Sequence, residues 1–371
     1  MKQNEPPLST LYLYITNRCN LNCRHCWINP SYTNGVKENG MELKLLTDIL
    51  EQSKDLGMQS LKITGGEPLL YDSFIGLMEE LKKKNWNLFL YMETNGTMID
   101  RKMAKALKEG GMKFVSVSID GDNADTHDKL RGVKGSYEKA WQAVRFMIEL
   151  DIPVQIITAV YCGNLGQFEN IAKKAEDFKA ESIKANIINN MGRGAKMAFD
   201  GELLSLEESL ELNKKIETEY RERFKICVLS SMPVAFRSFK RMVRERSRFC
   251  KIKGLLGVLA SGKLSICGIG EEIKELIIGD ARKESIKEVW HKSPLLWSIR
   301  DDLPHKLDGV CKICIFKNYC LGHCVAQSYY NTGTLTSSFW VCQEAYEKGL
   351  FPASRLLGGT EDRGQKTSIS V

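Results

Sequence analysis

The sequence predicts an α/β fold: six consecutive β–α units, followed by a small cysteine-rich part. Three observations predict it. Short β-branched and aromatic runs alternate with amphipathic stretches at helical spacing from residue 11 to about residue 220. Every unusual short stretch in that region falls at the C-terminal end of a strand candidate, where parallel α/β folds build their sites. Ten of the twelve cysteines fall into two groups, three at 19–26 and seven between Cys250 and Cys342.

In chain order, the strand candidates are LYLYIT (11–16), SLKIT (60–64), NLFLYMET (87–94), KFVSVSI (113–119), PVQIITAV (153–160) and SIKANII (182–188). Each is followed by a helical pattern, from MELKLLTDILEQSKDLG after the first to LSLEESLELNKKIETEY after the sixth. Such repetition implies parallel pairing with the helices outside, as an open sheet or an incomplete barrel. Residues 1–10 read as an N-terminal extension, 11–200 as the β–α region, and 201–245 as a charged helical bridge. The cysteine-rich part spans 246–350. A polar, Gly-rich tail follows over 351–371, frayed from about 354.

At 371 residues, with 43% hydrophobic and 27% charged residues, the chain has the composition of a soluble globular protein. No apolar run is long enough to span a bilayer, and the N-terminus lacks a signal-peptide pattern, so a reducing cytoplasm is expected. Twelve cysteines there point to metal or iron–sulfur ligation rather than disulfides. Much of the net charge of +7 sits in RSFKRMVRERSRFCKIK (237–253). No nucleic-acid recognition motif accompanies it, so it reads as a solvated helix face or a docking surface for an acidic peptide segment.

After the first strand, Cys19, Cys23 and Cys26 are spaced x3 then x2. Three thiolates can hold three irons of a four-iron cube and leave the fourth open; the alternatives are a zinc site completed by His25, or reduced structural thiols. GGEP (65–68) follows the second strand, and TNG (94–96) the third. Ser118 with Asp120-Gly121 closes the fourth, and Asn164 and Arg193 follow the fifth and sixth. Asn95, Asn164 and Arg193 read equally well as turn residues or as ligand contacts.

Cys-x3-Cys-x2-Cys after strand one with GGEP after strand two resembles the radical S-adenosylmethionine (radical SAM) superfamily over about residues 9–195. The resemblance implies an incomplete (β/α)6 barrel and a [4Fe–4S] cluster on Cys19, Cys23 and Cys26. It also implies that the open iron is chelated by SAM, which reductive cleavage turns into a hydrogen-abstracting 5′-deoxyadenosyl radical. Gly65, Gly66 and Glu67 match the family's GGE, where backbone and carboxylate receive the SAM ammonium. Ser118 and Arg131 fall where related enzymes contact the ribose or carboxylate of SAM. His25 would pack against the cofactor, and Trp27 would form core or pocket wall.

The seven later cysteines read Cys250-x11-Gly262-x4-Cys267, then Cys311-x2-Cys314-x5-Cys320-x3-Cys324, then Cys342. This order resembles the SPASM extension of radical SAM enzymes, which carries two auxiliary [4Fe–4S] clusters. The resemblance implies interleaved ligands: Cys250, Cys267 and Cys324 for the first cluster; Cys311, Cys314, Cys320 and Cys342 for the second. The fourth ligand of the first is an open iron, a non-cysteine group, or a distant cysteine such as Cys227.

The chain looks most like maturases of ribosomally made peptides, which crosslink, epimerise or excise residues. The implied partners are a short precursor peptide, a flavodoxin- or ferredoxin-type electron donor, and a separate leader-binding protein, since only about ten residues precede the first strand. Nucleic acid and membrane are not expected. The rivals are a sulfatase-maturing oxidase, a tetrapyrrole-modifying SPASM enzyme and, from another class, an electron-transfer or cluster-storage protein. The first of these would have Asp directly after the second SPASM cysteine, where this chain has Gly268.

Overall fold

The computed structural model describes residues 5–32, 40–239, 242 and 250–358. All six expected strands form: β1 (Thr10–Tyr14), β2 (Ser60–Thr64), β3 (Phe89–Thr94), β4 (Phe114–Ser118), β5 (Val154–Val160) and β6 (Ser182–Ile187). They lie side by side in chain order and pair in parallel throughout. Parallel neighbours need crossovers, and helices supply them: α1 (Leu43–Asp55), α2 (Phe74–Lys84), α3 (Arg101–Glu109), α4 (Ala124–Arg131), α5 (Ser136–Glu149) and α6 (Phe168–Asp177). In α1, Leu46, Ile49, Leu50 and Ser53 recur at helical spacing and all are buried. Asp100 starts α3 by accepting from the Met103 N–H at 2.7 Å, and Asn123 starts α4 by accepting from the Thr126 N–H at 3.0 Å.

The strands have two unlike faces. Leu11, Leu13, Leu61, Ile63, Leu90, Met92, Ile156 and Ile183 are buried in the apolar core. Their alternate neighbours Tyr12, Lys62, Tyr91, Glu93, Gln155, Lys184 and Asn186 are polar or aromatic and partly accessible. Parallel strands packed on both faces read as apolar on both, so the second face borders a space rather than a core. The sheet also curls around that space. β2 and β6 are four strands apart, about 19 Å on a flat sheet. Yet Lys62 and Lys184 lie close enough for their charges to interact.

Three features differ from expectation. The segment read as a helical bridge has its helix, Leu206–Lys215, capped by Ser205 and Glu208, but also a strand, β7 (Cys227–Ser230), parallel to β6. The cysteine-rich part continues the same sheet: β8 (Leu255–Val258) pairs in parallel with β1, and β9 (Lys263–Ser265) and β10 (Ile277–Asp280) follow antiparallel. β7 and β8 are runs of four residues, too short to carry a periodicity. Third, the expected tail is packed through Leu356. Phe351 is buried, and Arg355 donates to the carbonyls of Ala235 (3.2 Å) and Arg237 (3.1 Å).

The N-terminal extension is tied down as well. Leu8 is fully buried, and the Glu5 carboxylate meets Arg300 at 3.3 Å and His291 at 2.8 Å. Among the described residues, β7 and β10 are the unpaired edges of the ten-stranded sheet, and no helix is long and apolar enough to cross a membrane. Most of the basic stretch 237–253 lies outside the described residues.

Candidate functional site

β1 runs directly into the loop of Cys19, Cys23 and Cys26, of which the first two are buried and the third half-buried. The loop is fixed from two neighbours. At the end of α4, Arg131 and Leu130 accept backbone bonds from Asn22 (3.0 Å) and Arg24 (2.9 Å). From the β6 side, the Arg193 N–H donates to the Cys26 carbonyl at 2.9 Å. Gly132, at φ +73°, allows the first contact, because a Cβ there would stand 2.5 Å from the Asn22 carbonyl.

The GGE segment is interlocked with the same loop. Gly66 and Glu67 donate backbone bonds to Thr16 and Arg18, both at 2.8 Å, and a Cβ on Gly66 would fall 2.1 Å from the Arg18 carbonyl. Glu67 also has a structural role. Its carboxylate is fully buried and accepts from the Thr94 hydroxyl (2.7 Å) and from the N–H groups of Asn95 (2.8 Å) and Leu69 (3.3 Å). It ties the ends of β2 and β3 together, and so positions the loop.

Burial pushes the Glu67 carboxyl up from about 4.5 to about 7, against the bonds it accepts. A carboxyl raised in the folded state contributes most below its unfolded value, so this contribution declines from about pH 4.5 to about pH 7 and is flat above. Glu67→Gln, neutral throughout, is expected to melt progressively higher relative to wild type between pH 5 and 7. Parallel melting curves across that range would count against this carboxyl's titration.

Arg131 is likewise more committed than expected. Its Nε donates to Asp120 at 2.6 Å, and one terminal nitrogen points at the Cys23 sulfur at 3.7 Å. Asp120, given no role of its own by the sequence beyond closing the fourth strand, is the buried hub of this side. It also accepts from the Ala159 N–H at 2.8 Å. Burial would raise its pKa, but the Arg131, His25 and His127 charges outweigh that and hold it below the usual carboxylate value. No sequence signal pairs residues eleven apart through a strand end and a helix end.

Of the three undecided residues, Asn95 and Asn164 make turn bonds. Asn95 accepts from the Thr97 N–H at 2.9 Å, and Asn164 donates to the carbonyls of Asp120 (2.7 Å) and Ala159 (2.8 Å). Arg193 differs. It bonds Asn22, but its Nε and second terminal nitrogen are buried without a hydrogen-bond partner. Ser118 ends β4, partly accessible. Trp27 packs edge-on against Tyr14, with centroids 6.5 Å apart, as a pocket wall does.

These surroundings suit an anionic iron–sulfur group. Three thiols share one loop beside two guanidinium groups, and unmatched buried polar atoms on Arg193 and His25 (Nδ1) lie in the same region. Burial, with Arg131's charge, lowers the His25 imidazole to about 4, so it is neutral at pH 7. Burial also pushes the Cys19 thiol up to about 12 and raises Cys23, so ligation must displace their protons. Cys19, Cys23 and Cys26 would hold the cluster here, with Arg131 and Arg193 answering its negative charge.

The later cysteines lie near one another in a way compatible with the two implied sets. Cys250, Cys267 and Cys324 act on one another electrostatically, as do Cys311, Cys314, Cys320 and Cys342. The second four line one cavity with Gly322 and Phe351. Among the described residues no three His, Cys, Asp or Glu side chains converge as on a single ion. Cys227 opens β7 at the N-terminal end of the parallel sheet, paired with Ser182. Cys162 is exposed, and its thiol donates to the Leu203 carbonyl at 3.2 Å. Gly268 is enforced by Tyr14: a Cβ there would stand 2.2 Å from the ring, so no aspartate fits that position while the ring keeps its place.

Two family models match the chain. Residues 13–175 match the radical SAM superfamily model, and residues 250–315 match SPASM, an iron–sulfur cluster-binding domain. An AdoMet-dependent heme synthase of Methanosarcina barkeri is 26% identical over 86% of this chain and 91% of its own length. A PqqA peptide cyclase of Rhizobium meliloti is 24% identical over 91% of this chain and 87% of its own. Streptococcus suis SuiB, solved with its precursor peptide SuiA, superposes with a TM-score of 0.71 at 18% identity, covering 91% of this chain and 76% of SuiB. The cofactors of the two domains are [4Fe–4S] clusters and SAM.

Proposed function

This chain is a radical SAM enzyme with a SPASM domain, and we propose that it abstracts hydrogen from a ribosomally made peptide to install a crosslink, an epimerised centre or a related modification. When bound, the cluster supplies the electron that splits SAM. The protein's own residues do the rest. Cys19, Cys23 and Cys26 hold three irons and leave one for SAM; Arg131 and Arg193 hold positive charge beside them. Gly65, Gly66 and Glu67 lock the loop in place, and Ser118 stands where the ribose is expected.

The observation that carries the peptide reading is the open sheet. Among the described residues β7 and β10 do not pair with each other, so the sheet is open rather than closed, as suits an extended substrate. The likeness to a PqqA peptide cyclase and to peptide-bound SuiB supports it. A flavodoxin- or ferredoxin-type donor would supply electrons, and a separate leader-binding protein would present the substrate.

A second reading, a tetrapyrrole substrate, is favoured by the heme synthase likeness, which runs over most of both chains. Sulfatase maturation is disfavoured by the Tyr14 ring beside Gly268. Co-expression with candidate precursor peptides separates the two remaining readings. Loss of about two hydrogens, or deuterium uptake from D2O, is expected on a peptide. Turnover of a porphyrin alone would replace the peptide reading by the tetrapyrrole one.

A further inference from the structure

The inner face of the sheet holds a lysine with no carboxylate partner among the described residues. Lys62 (β2) pairs with Glu93 (β3) at 2.6 Å and stands over the Tyr12 ring at 4.7 Å. Its charge also reaches the thiols of Cys250 and Cys267, and Arg237's reaches Cys320.

Lys184, in the middle of β6, is different. The titratable groups that interact with it are Glu93, already paired with Lys62, the cations Lys62 and Arg237, and the buried imidazole of His323. Among the described residues no carboxylate lies within ion-pair distance of it. Its flanking residues Ile183 and Ala185 are fully buried on the other face, whereas Lys184 retains accessible surface deep inside the molecule. Two positions further toward the site end of the strand, the Asn186 Oδ1 is buried without a hydrogen-bond partner. An ammonium held among cations and facing internal space is costly unless an anion joins it.

We infer that Lys184 is a substrate-recognition residue, binding a carboxylate of the substrate inside the curled sheet. This rests on the sheet interior being the substrate cavity, as proposed above, but not on which substrate enters it. A carboxylate can come from an acidic peptide side chain or from a porphyrin propionate, and both present the same chemistry to an ammonium.

The test uses two matched pairs of probes on the cluster-loaded enzyme. One is a precursor peptide and its counterpart with Glu and Asp changed to Gln and Asn; the other is coproporphyrin III and its tetramethyl ester. Affinity is measured for wild type, Lys184→Gln and Lys184→Arg, with iron content and melting temperature checking that each variant folds. The free-carboxylate member of one pair is expected to bind wild type roughly tenfold or more tightly than its neutral partner. That preference should vanish in Lys184→Gln and return in part in Lys184→Arg.

Preference in the peptide pair supports both readings; preference in the porphyrin pair alone keeps the Lys184 assignment and overturns the peptide substrate. Equal binding of both members, binding of neither pair, or a preference that survives Lys184→Gln overturns the assignment.

Discussion

Changing Cys19, Cys23 and Cys26 together to Ala is expected to abolish reductive cleavage of SAM while leaving roughly eight of about twelve irons bound per chain. The expectation follows from separation. The three thiols share one loop after β1, whereas the other seven cysteines group around residues 250–342 in two sets of their own. Removing the first set takes away the only position expected to chelate SAM and leaves the other two sets intact. Iron and acid-labile sulfide counts, with 5′-deoxyadenosine measured after dithionite, check it. Continued production of 5′-deoxyadenosine, or loss of all iron together, would break the assignment of the three sites.

The second large effect is expected at Asp120. Its carboxylate and the Arg131 guanidinium form an ion pair at 2.6 Å with both side chains nearly excluded from solvent. Removing one partner of a buried pair leaves the other uncompensated, which costs about 3–5 kcal/mol, whatever the pair's own net worth. For a chain of this length that is a melting shift of about 4–6 °C.

Function should suffer beyond stability, because Arg131 would lose the contact that aims it at Cys23, and its backbone carbonyl anchors Asn22. Asp120→Ala is therefore expected to lose about four irons as well as heat stability. Asp120→Asn, which keeps an acceptor for the Ala159 N–H, should be the milder variant. An unchanged melting temperature and iron content in Asp120→Ala would show that the pair does not hold the loop.

The parts of this molecule that were legible in the sequence are those with a repeat or a spacing. Six strands separated by crossover helices show as six switches of periodicity, and the two cysteine patterns show as intervals. What stayed hidden depends on contacts between distant segments. Asp120 reads as half of an Asp-Gly turn until α4 brings Arg131 back to it. β7 and β8 are four-residue runs that become strands by joining edges already made.

Glu67 looks like a ligand by motif, and the sequence does not show that it also ties two strand ends together through Thr94 and Asn95 of the next strand. Lys62, Glu93 and Lys184 alternate with apolar residues in plain view. But a single strand does not say that its polar face will curl inward rather than meet solvent.

The central claim is that this chain uses SAM to take hydrogen from a peptide. Its most direct test is isotopic: incubate the reconstituted enzyme anaerobically with SAM, reductant and a precursor peptide deuterated at carbon, then examine the 5′-deoxyadenosine by mass spectrometry. The account predicts deuterium in the 5′-deoxyadenosine and a matching loss from the peptide. No 5′-deoxyadenosine at all, or unlabelled product with every precursor peptide while a porphyrin is consumed, would contradict it.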